Sequence, residues 1–139
     1  MSRSGMSDDC DNVWQWIMWR GRVASATRGR RGQAMLRDLL AALDAMPQKR
    51  LIAHELIANG EVCAIGSLGL ARGVEIEKID VYDYDAVAAT FGVAAPLVQE
   101  IEWTNDDGDV WKETPEQRWQ RMREWVARQI KPDARTAST

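Results

Sequence analysis

The most reactive side chains of this sequence are one thiol and one imidazole in the middle of the chain. Cys63 and His54, the only histidine, could form a pair of nucleophile and general base. Cys63 falls near the expected start of a helix, where the helix dipole lowers the pKa of a thiol. No flanking motif accompanies the pair, and a single histidine on a helix usually serves the fold. We therefore expect that the chain is not an enzyme, and we keep catalysis by Cys63 and His54 as the alternative.

Arginines alternate with glycines between residues 20 and 32, a pattern typical of segments that contact phosphates. The five arginines are Arg20, Arg22, Arg28, Arg30 and Arg31. The glycines indicate irregular backbone, on which such side chains can follow a nucleic-acid strand. The competing interpretation is a solvated loop, or a loop that pairs with acidic residues elsewhere. This segment supports a second hypothesis, that the chain is a nucleic-acid-binding regulator.

Carboxylates dominate the part of the chain from residue 73 to residue 111. It holds 10 Asp/Glu against 1 Lys/Arg, whereas residues 1–72 hold 7 against 10 and residues 112–139 hold 4 against 7. Such asymmetry indicates either neutralisation within the fold or an acidic surface that meets a basic partner. The candidate partner-binding residues are Asp80, Asp83, Asp85, Glu100, Glu102, Asp106 and Asp107.

Two further patterns resemble known ligand-binding loops but fail in detail. Asn105 to Asp109 looks like part of a calcium loop, but with Gly108 in its sixth position the first and twelfth positions are Trp103 and Thr114. Gly66-Ser67-Leu68-Gly69 lacks the lysine and the spacing of a phosphate-binding loop. We therefore expect a hydrated turn from Asn105 and neither a metal nor a cofactor.

The elements that must position these side chains are mostly helices. Residues 33–46 carry apolar residues at three- and four-residue spacing, and Pro47 ends that helix. Thr114, Pro115 and Gln117 form a capping box at the start of the last helix. Other helices are expected over residues 50–58, 62–71, 84–91 and 95–103.

Three other segments are less regular or ambiguous. Val13 to Trp19 is apolar and should be buried, either as a helix or as a strand. Val74 to Ile79 alternates apolar and polar residues, which predicts a short strand or an extended linker. In the third helix, Gly66, Gly69 and Gly73 leave a bare stripe, which predicts the close approach of another backbone. The alternative is that Val62 to Ile65 is extended.

The segment from Asp85 to Ile101 resembles a helix-turn-helix corner. Ala88 allows two helices to meet, Gly92 makes the turn, and Val98 and Ile101 form the buried face of the second helix. No lysine or arginine occurs from residue 79 to residue 111, so this corner would repel phosphates. We therefore expect a structural corner rather than a reader of DNA bases.

Size and composition indicate one domain. The chain has 139 residues, 45% of them apolar, and no apolar run approaches the roughly 18 residues that span a bilayer. We expect a flexible N-terminus over residues 1–12, a single globular domain over 13–131 and a disordered tail over 132–139. The expected fold is mainly α, a compact bundle of five or six short helices that includes the helix-turn-helix-like corner, with or without one short β-hairpin. The two cysteines match no metal or redox spacing, so a cytoplasmic setting is expected.

Four segments together resemble a family of small uncharacterised proteins encoded by phages and prophages. They are Arg31-Gly32-Gln33, residues 60–66, Phe91-Gly92-Val93 and Asn105-Asp106. The resemblance implies that the protein is located in the cytoplasm of a bacterial host and acts by binding a host complex, for example a defence complex. It carries over no catalytic or binding residue.

These observations favour a non-enzymatic binding protein. Its acidic surface would meet a host protein or nucleoprotein complex, as expected of a phage accessory protein or inhibitor. Direct contact with nucleic acid through the arginine and glycine segment is the second hypothesis. We expect no membrane partner.

Overall fold

Helices make up most of this protein in its computed structural model, which describes residues 13–107 and 112–132. The elements are α1 (Val13–Arg28), α2 (Arg30–Ala45), β1 (Ile57–Ala58), β2 (Glu61–Val62), α3 (Ala64–Ala71), α4 (Tyr84–Phe91), α5 (Ala95–Asp106) and α6 (Pro115–Gln129). The expected mainly α fold with one short hairpin is confirmed. The N-terminus 1–12 and, apart from Pro132, the tail 132–139 lie outside the described residues. Within the described ranges, no helix is long and apolar enough to cross a membrane.

The core is built around α2, which packs against α1, α3 and α6. Its buried apolar side chains are Met35, Leu36, Leu39, Ala42 and Leu43. Their spacing places them on one face of the helix, which is why this segment is helical and buried. The helix predicted over residues 33–46 is therefore confirmed, with a start three residues earlier. Leu40 is only partly buried and lies at the edge of that face.

The arginine and glycine segment is helical, so the prediction of irregular backbone there was wrong. Gly21 lies inside α1, Gly29 is the N-cap of α2, and Gly32 lies in the first turn of α2. A Cβ on Gly32 would overlap the carbonyl oxygen of Ala26, so this glycine lets α2 start close against the end of α1. The glycines here serve a tight junction between two helices rather than a loop, because tertiary contacts outweigh a weak local propensity.

The apolar segment from Val13 to Trp19 forms the first half of α1, and the prediction that it is buried was wrong. Only Trp19 is buried, whereas residues 13–18 are all exposed. Trp19 and Val23 hold α1 against the rest of the protein. Residues 13–18 extend beyond the elements of the described part of the chain that could cover them.

The segment from Arg50 to Ala58 is not a helix, contrary to the prediction. It runs as extended and bent chain into β1, which pairs antiparallel with β2 through the turn Asn59-Gly60. Both turn residues have positive φ, 54° and 79°, which is the geometry that an Asn-Gly pair favours in a two-residue hairpin. The backbone before the hairpin forms hydrogen bonds with residues that are distant in sequence. For example, the Leu51 N–H donates to the Pro115 carbonyl at 3.0 Å.

Directly after the hairpin, α3 contains two glycines that permit close packing. A Cβ on Gly66 would overlap the carbonyl oxygen of Leu56, and one on Gly69 would overlap the side chain of Ile76. The predicted approach of another backbone is therefore confirmed at Gly66. The helix begins two residues later than expected, with Cys63 as its N-cap.

Replacing Gly66 by alanine is expected to destabilise the protein by about 1–3 kcal/mol, because the added methyl group must push backbone aside. The matched control is Gly21→Ala in the middle of α1, where no atom lies within 4 Å of the added Cβ. That change should stabilise the protein by roughly 0.5–1 kcal/mol, because alanine is the better helix former. Urea denaturation of the two variants checks the opposite signs, and effects of the same sign would contradict this account of Gly66.

The segment from Val74 to Ile79 contains a 3₁₀ turn at Ile76–Lys78 instead of the predicted strand or linker. Ile76 is fully buried and fills the space that Gly69 leaves open. The alternation in the sequence arises because Val74, Ile76 and Ile79 pack against the core while Glu75, Glu77 and Lys78 are exposed.

The helix-turn-helix-like corner is present in α4 and α5. Asp83 caps α4 by accepting the Ala86 N–H, and Gly92 ends it with a positive φ of 71°. Val98 and Ile101 are buried, and the two helices pack together as predicted.

The capping box of α6 is also confirmed. The Thr114 hydroxyl accepts the N–H of Gln117, and the Gln117 side chain accepts the N–H of Thr114. This helix packs on α2, where the Trp119 indole donates to the Leu43 carbonyl at 3.1 Å.

Candidate functional site

The largest exposed apolar surface that the structure describes is the first half of α1. Its members are 40–73% exposed and are called here the apolar tip: Val13, Trp14, Trp16, Ile17 and Met18. A helix with apolar residues all round is normally buried on all sides. Isolated exposed apolar residues need no explanation, but a contiguous cluster marks a surface that a partner covers.

The apolar tip is held in place by the residues of α1 that directly follow it. Trp19 packs against Trp103 of α5 with ring centroids 6.0 Å apart, and Arg20 pairs with Glu100 of α5 at 3.0 Å. These contacts dock α1 on α5, so the six helical residues before Trp19 extend from a fixed base. A preorganised helix of this kind binds without the cost of ordering a flexible segment.

The predicted acidic surface is smaller than the sequence indicated. Glu100 and Glu102 are each only 2% exposed, so the prediction that they meet a partner was wrong. They lie on nearly opposite sides of α5, where Arg20 of α1 covers Glu100 and Cys63 at the start of α3 covers Glu102, and the sequence does not reveal that both sides are covered. Asp80, Asp83 and Asp85 are exposed, and Asp83 is committed to capping α4.

Asp106 and Asp107 end α5 and are half-buried. Asp106 accepts the backbone N–H of His54 at 3.0 Å, and its other oxygen lies 3.4 Å from the His54 Nδ1. The turn predicted from Asn105 is therefore helical at Asn105 and Asp106. Gly108 and Asp109 lie outside the described residues.

Asn105 is fully buried and ties three parts of the fold together. Its side-chain oxygen accepts the N–H of Ala64 at the start of α3, at 3.1 Å. Its side-chain nitrogen donates to the carbonyl of Ile52 at 2.9 Å and to Asp106 at 3.0 Å. The Asn105-Asp106 pair thus supports the backbone of the irregular segment, rather than offering ligands to a metal.

Glu102 is a buried carboxyl group beside a buried thiol. The Cys63 Sγ donates to Oε1 of Glu102 at 3.2 Å, and Oε2 has no hydrogen-bond partner in the described part of the chain. Burial and then the charge of Asp106 raise the pKa of Glu102 to about 8, against the lowering effect of the hydrogen bond from Cys63. The group is therefore mostly a neutral acid at pH 7.

The proposed pair of Cys63 and His54 lacks the features of an activated nucleophile. Cys63 is fully buried, and burial followed by the Glu102 carboxyl raises the pKa of its thiol well above the ordinary value. The reactive form of cysteine is the thiolate, which these surroundings disfavour. His54 lies on a bend with a positive φ of 71° rather than on a helix, and its imidazole faces Asp106. Among the described residues, no three His, Cys, Asp or Glu side chains are grouped to hold a metal ion.

The five arginines of the predicted nucleic-acid segment do not form one surface. Arg20 is paired with the buried Glu100, and the guanidinium of Arg22 lies 6.0 Å from the centre of the Trp19 ring. Arg28, Arg30 and Arg31 are exposed at the junction of α1 and α2. The C-terminal end of α6 brings Arg128 and Lys131 towards this junction, where they line the same grooves as Arg28. Nothing in the spacing of the sequence could have indicated these two residues, because they lie about a hundred positions away.

Geometry is the only guide to what this protein binds. The apolar tip, the exposed aspartates and the basic junction of α1, α2 and α6 are the surfaces it offers. The chain matches no known protein-family model, no curated protein and no solved structure.

Proposed function

We propose that this chain is a non-enzymatic binding protein that docks on a partner protein through the apolar tip of α1. The observation that carries the proposal is the exposure of five large apolar side chains between Val13 and Met18, two of them tryptophans. Tryptophan is among the residues most enriched at the energetic centres of protein interfaces. In the phage setting that the resemblance implies, the partner is a host protein or nucleoprotein complex, and the chain acts as an accessory protein or inhibitor.

The geometry of the tip favours insertion into an apolar groove. Ile17 and Met18 lie three and four residues after Trp14, so the three side chains share one side of the helix. This is the pattern by which a helix lies in a groove of another protein. Val13 lies beside this stripe, whereas Trp16 lies on nearly the opposite side of the helix, so a groove that holds the stripe contacts Val13 at its edge and leaves Trp16 outside.

In this proposal the remaining exposed aspartates increase the rate at which the partner is encountered, and they do not form the contacts of the docked complex. Asp80 and Asp85 lie on the surface, and neither belongs to the apolar tip. Exposed charges of this kind accelerate the encounter with a basic partner, and added salt screens the effect. The expected acidic surface is thus kept in the proposal in a reduced form, without Glu100 and Glu102.

The test is a double substitution, Trp14→Gln with Ile17→Gln, in affinity capture from a lysate of bacterial host cells. Loss of the tip should weaken binding to the captured partner at least about 30-fold in Kd, since two central apolar contacts are removed. Thermal stability should stay unchanged because both side chains are exposed. Mass spectrometry identifies the partner, and surface plasmon resonance measures the affinity.

The matched control is Leu70→Gln with Tyr82→Gln, which removes two other exposed apolar side chains, 52% and 57% accessible, from other parts of the protein. This control should bind the partner as the wild type does. Equal capture of the same proteins by the wild type and the Trp14 and Ile17 variant would refute docking through the tip.

A further inference from the structure

Three chain segments that are distant in sequence meet at the buried side chain of Gln33. Its Nε2 donates to the carbonyl of Thr27 at 2.8 Å and to the carbonyl of Gln129 at 3.0 Å. Its Oε1 accepts the N–H of Lys131 at 2.8 Å. The end of α1, the start of α2 and the end of α6 are therefore fixed relative to one another.

Five cationic side chains surround this junction and are called here the basic cluster: Arg28, Arg30, Arg37, Arg128 and Lys131. Two neighbouring grooves, of about 660 and about 390 Å³, share Arg28 as a common wall. Arg37 donates to the carbonyl of Lys131 at 2.7 Å, which holds the chain after α6 against α2. The cluster is thus an extended and structurally supported surface.

The carboxylates of the described residues do not neutralise the basic cluster. Within residues 13–107 and 112–132, none of its five side chains forms an ion pair with a carboxylate. Other cations do, as in the pair of Arg72 with Asp38 at 2.7 Å. Glu100 lines the smaller groove but is engaged by Arg20.

The placement of Arg30 adds to the argument. It lies in the first turn of α2, where the helix dipole is positive and a cation is unfavourable. The N-cap Gly29 supplies no side-chain acceptor to the first turn. An arrangement that concentrates positive charge at this end of a helix is stabilised when an anion binds there.

We propose that the basic cluster of Arg28, Arg30, Arg37, Arg128 and Lys131 is a binding site for the phosphate backbone of a nucleic acid. Repeated phosphates match an extended row of cations along two grooves better than a single small anion does. The larger groove offers only Ala34 and Pro132 as apolar lining, whereas the centres of protein interfaces are poor in charge and rich in aromatic residues. The site keeps Arg28 and Arg30 from the segment singled out in the sequence and adds three cations that only the fold brings near. It is independent of docking through the apolar tip.

The test measures fluorescence anisotropy of labelled single-stranded DNA, duplex DNA and RNA, each of about 20 nucleotides, between about 50 and 200 mM salt. The site variant carries Arg28→Gln, Arg30→Gln and Lys131→Gln. The matched control carries Arg50→Gln, Arg72→Gln and Lys78→Gln, which removes the same charge from residues that have carboxylate partners. We expect the wild type to bind at least one probe, and the site variant to lose about tenfold or more in affinity at the lowest salt. The negative slope of the logarithm of the association constant against the logarithm of salt concentration should become shallower by about 2 to 3 in the site variant. In the control it should stay unchanged.

Two further measurements complete the test. Arg30→Glu should raise the melting temperature by about 1–3 °C, because it reverses an unfavourable charge at the helix start, and should weaken binding to the same probe. The absence of binding to all three probes at the lowest salt would overturn the proposal, as would equal losses in the site variant and the control. Binding to anionic phospholipid vesicles without binding to DNA or RNA would overturn it in favour of a membrane surface.

Discussion

The free energy of unfolding of the wild-type protein is expected to fall as the pH rises from about 4.5 to about 8. Glu102 is buried, and its pKa is raised from 4.5 to about 8 in the folded chain. Below pH 4.5 both states hold the proton, so the full stability is present. Between the unfolded pKa and the folded pKa, the unfolded chain has released this proton whereas the folded chain retains it. The free energy of unfolding therefore decreases until the pH exceeds the folded pKa. A shift of this size corresponds to as much as about 5 kcal/mol.

The substitution Glu102→Gln isolates this effect. Glutamine keeps the size of the neutral acid and can still accept the hydrogen bond of the Cys63 thiol. At pH 5 the variant should lie within about 1 kcal/mol of the wild type, and at pH 9 it should be the more stable protein by several kcal/mol. Denaturant titrations at the two pH values measure the difference. The control Glu77→Gln removes a carboxylate from an exposed position and should retain the dependence of the wild type on pH. A Glu102→Gln variant with the same dependence would show that Glu102 ionises normally in the folded state.

Leu36→Ala is expected to cost about 2–5 kcal/mol, because it leaves a cavity in the core beneath α2. Leu36 is fully buried and belongs to the central cluster that α3 and α6 also supply. A loss of this size is a large part of the stability of a domain, so the melting temperature should drop markedly.

Leu40→Ala is the matched control for Leu36→Ala, with the same chemical change one helical turn away. The apolar periodicity of α2 assigns both leucines to one face, but Leu40 is only partly buried. We therefore expect a clearly smaller loss for Leu40→Ala. Equal losses in thermal denaturation would mean that the edge of this face is as tightly packed as its centre.

The capping and turn signals of α4 and α6 predicted the starts and ends of these helices correctly. The capping box of Thr114 and Gln117 satisfies the first turn of α6 with its own side chains. The Asp83 cap and the Gly92 turn likewise depend only on neighbouring backbone. The prediction failed at residues 50–58, although the Asn59-Gly60 pair that follows is a signal for a two-residue hairpin. Partners as distant as Pro115 satisfy the backbone there, and no local pattern encodes them.

The candidate surfaces depended on the tertiary structure to a greater degree. A carboxylate in the sequence carries the same formal charge whether it is exposed, as Asp85 is, or enclosed, as Glu102 is. An apolar run likewise predicts burial on average, but the first half of α1 extends past the helices that could cover it. The exposure of a side chain depends on which residues pack against it in the fold, and the residue type alone does not determine it.

By itself the sequence determined the helical class, the central helix α2, the corner of α4 and α5 and the start of α6. These follow from apolar periodicity and from hydrogen bonds closed within a few residues. Only the tertiary structure decided that Glu102 is a buried neutral acid, that the apolar tip is uncovered, and that Arg28 and Lys131 share a groove. The physical reason is that burial, pKa and charge clustering are set by contacts between residues far apart in the chain. The single side-chain amide of Gln33 forms hydrogen bonds with the backbone of Thr27, Gln129 and Lys131, and so fixes three distant segments relative to one another.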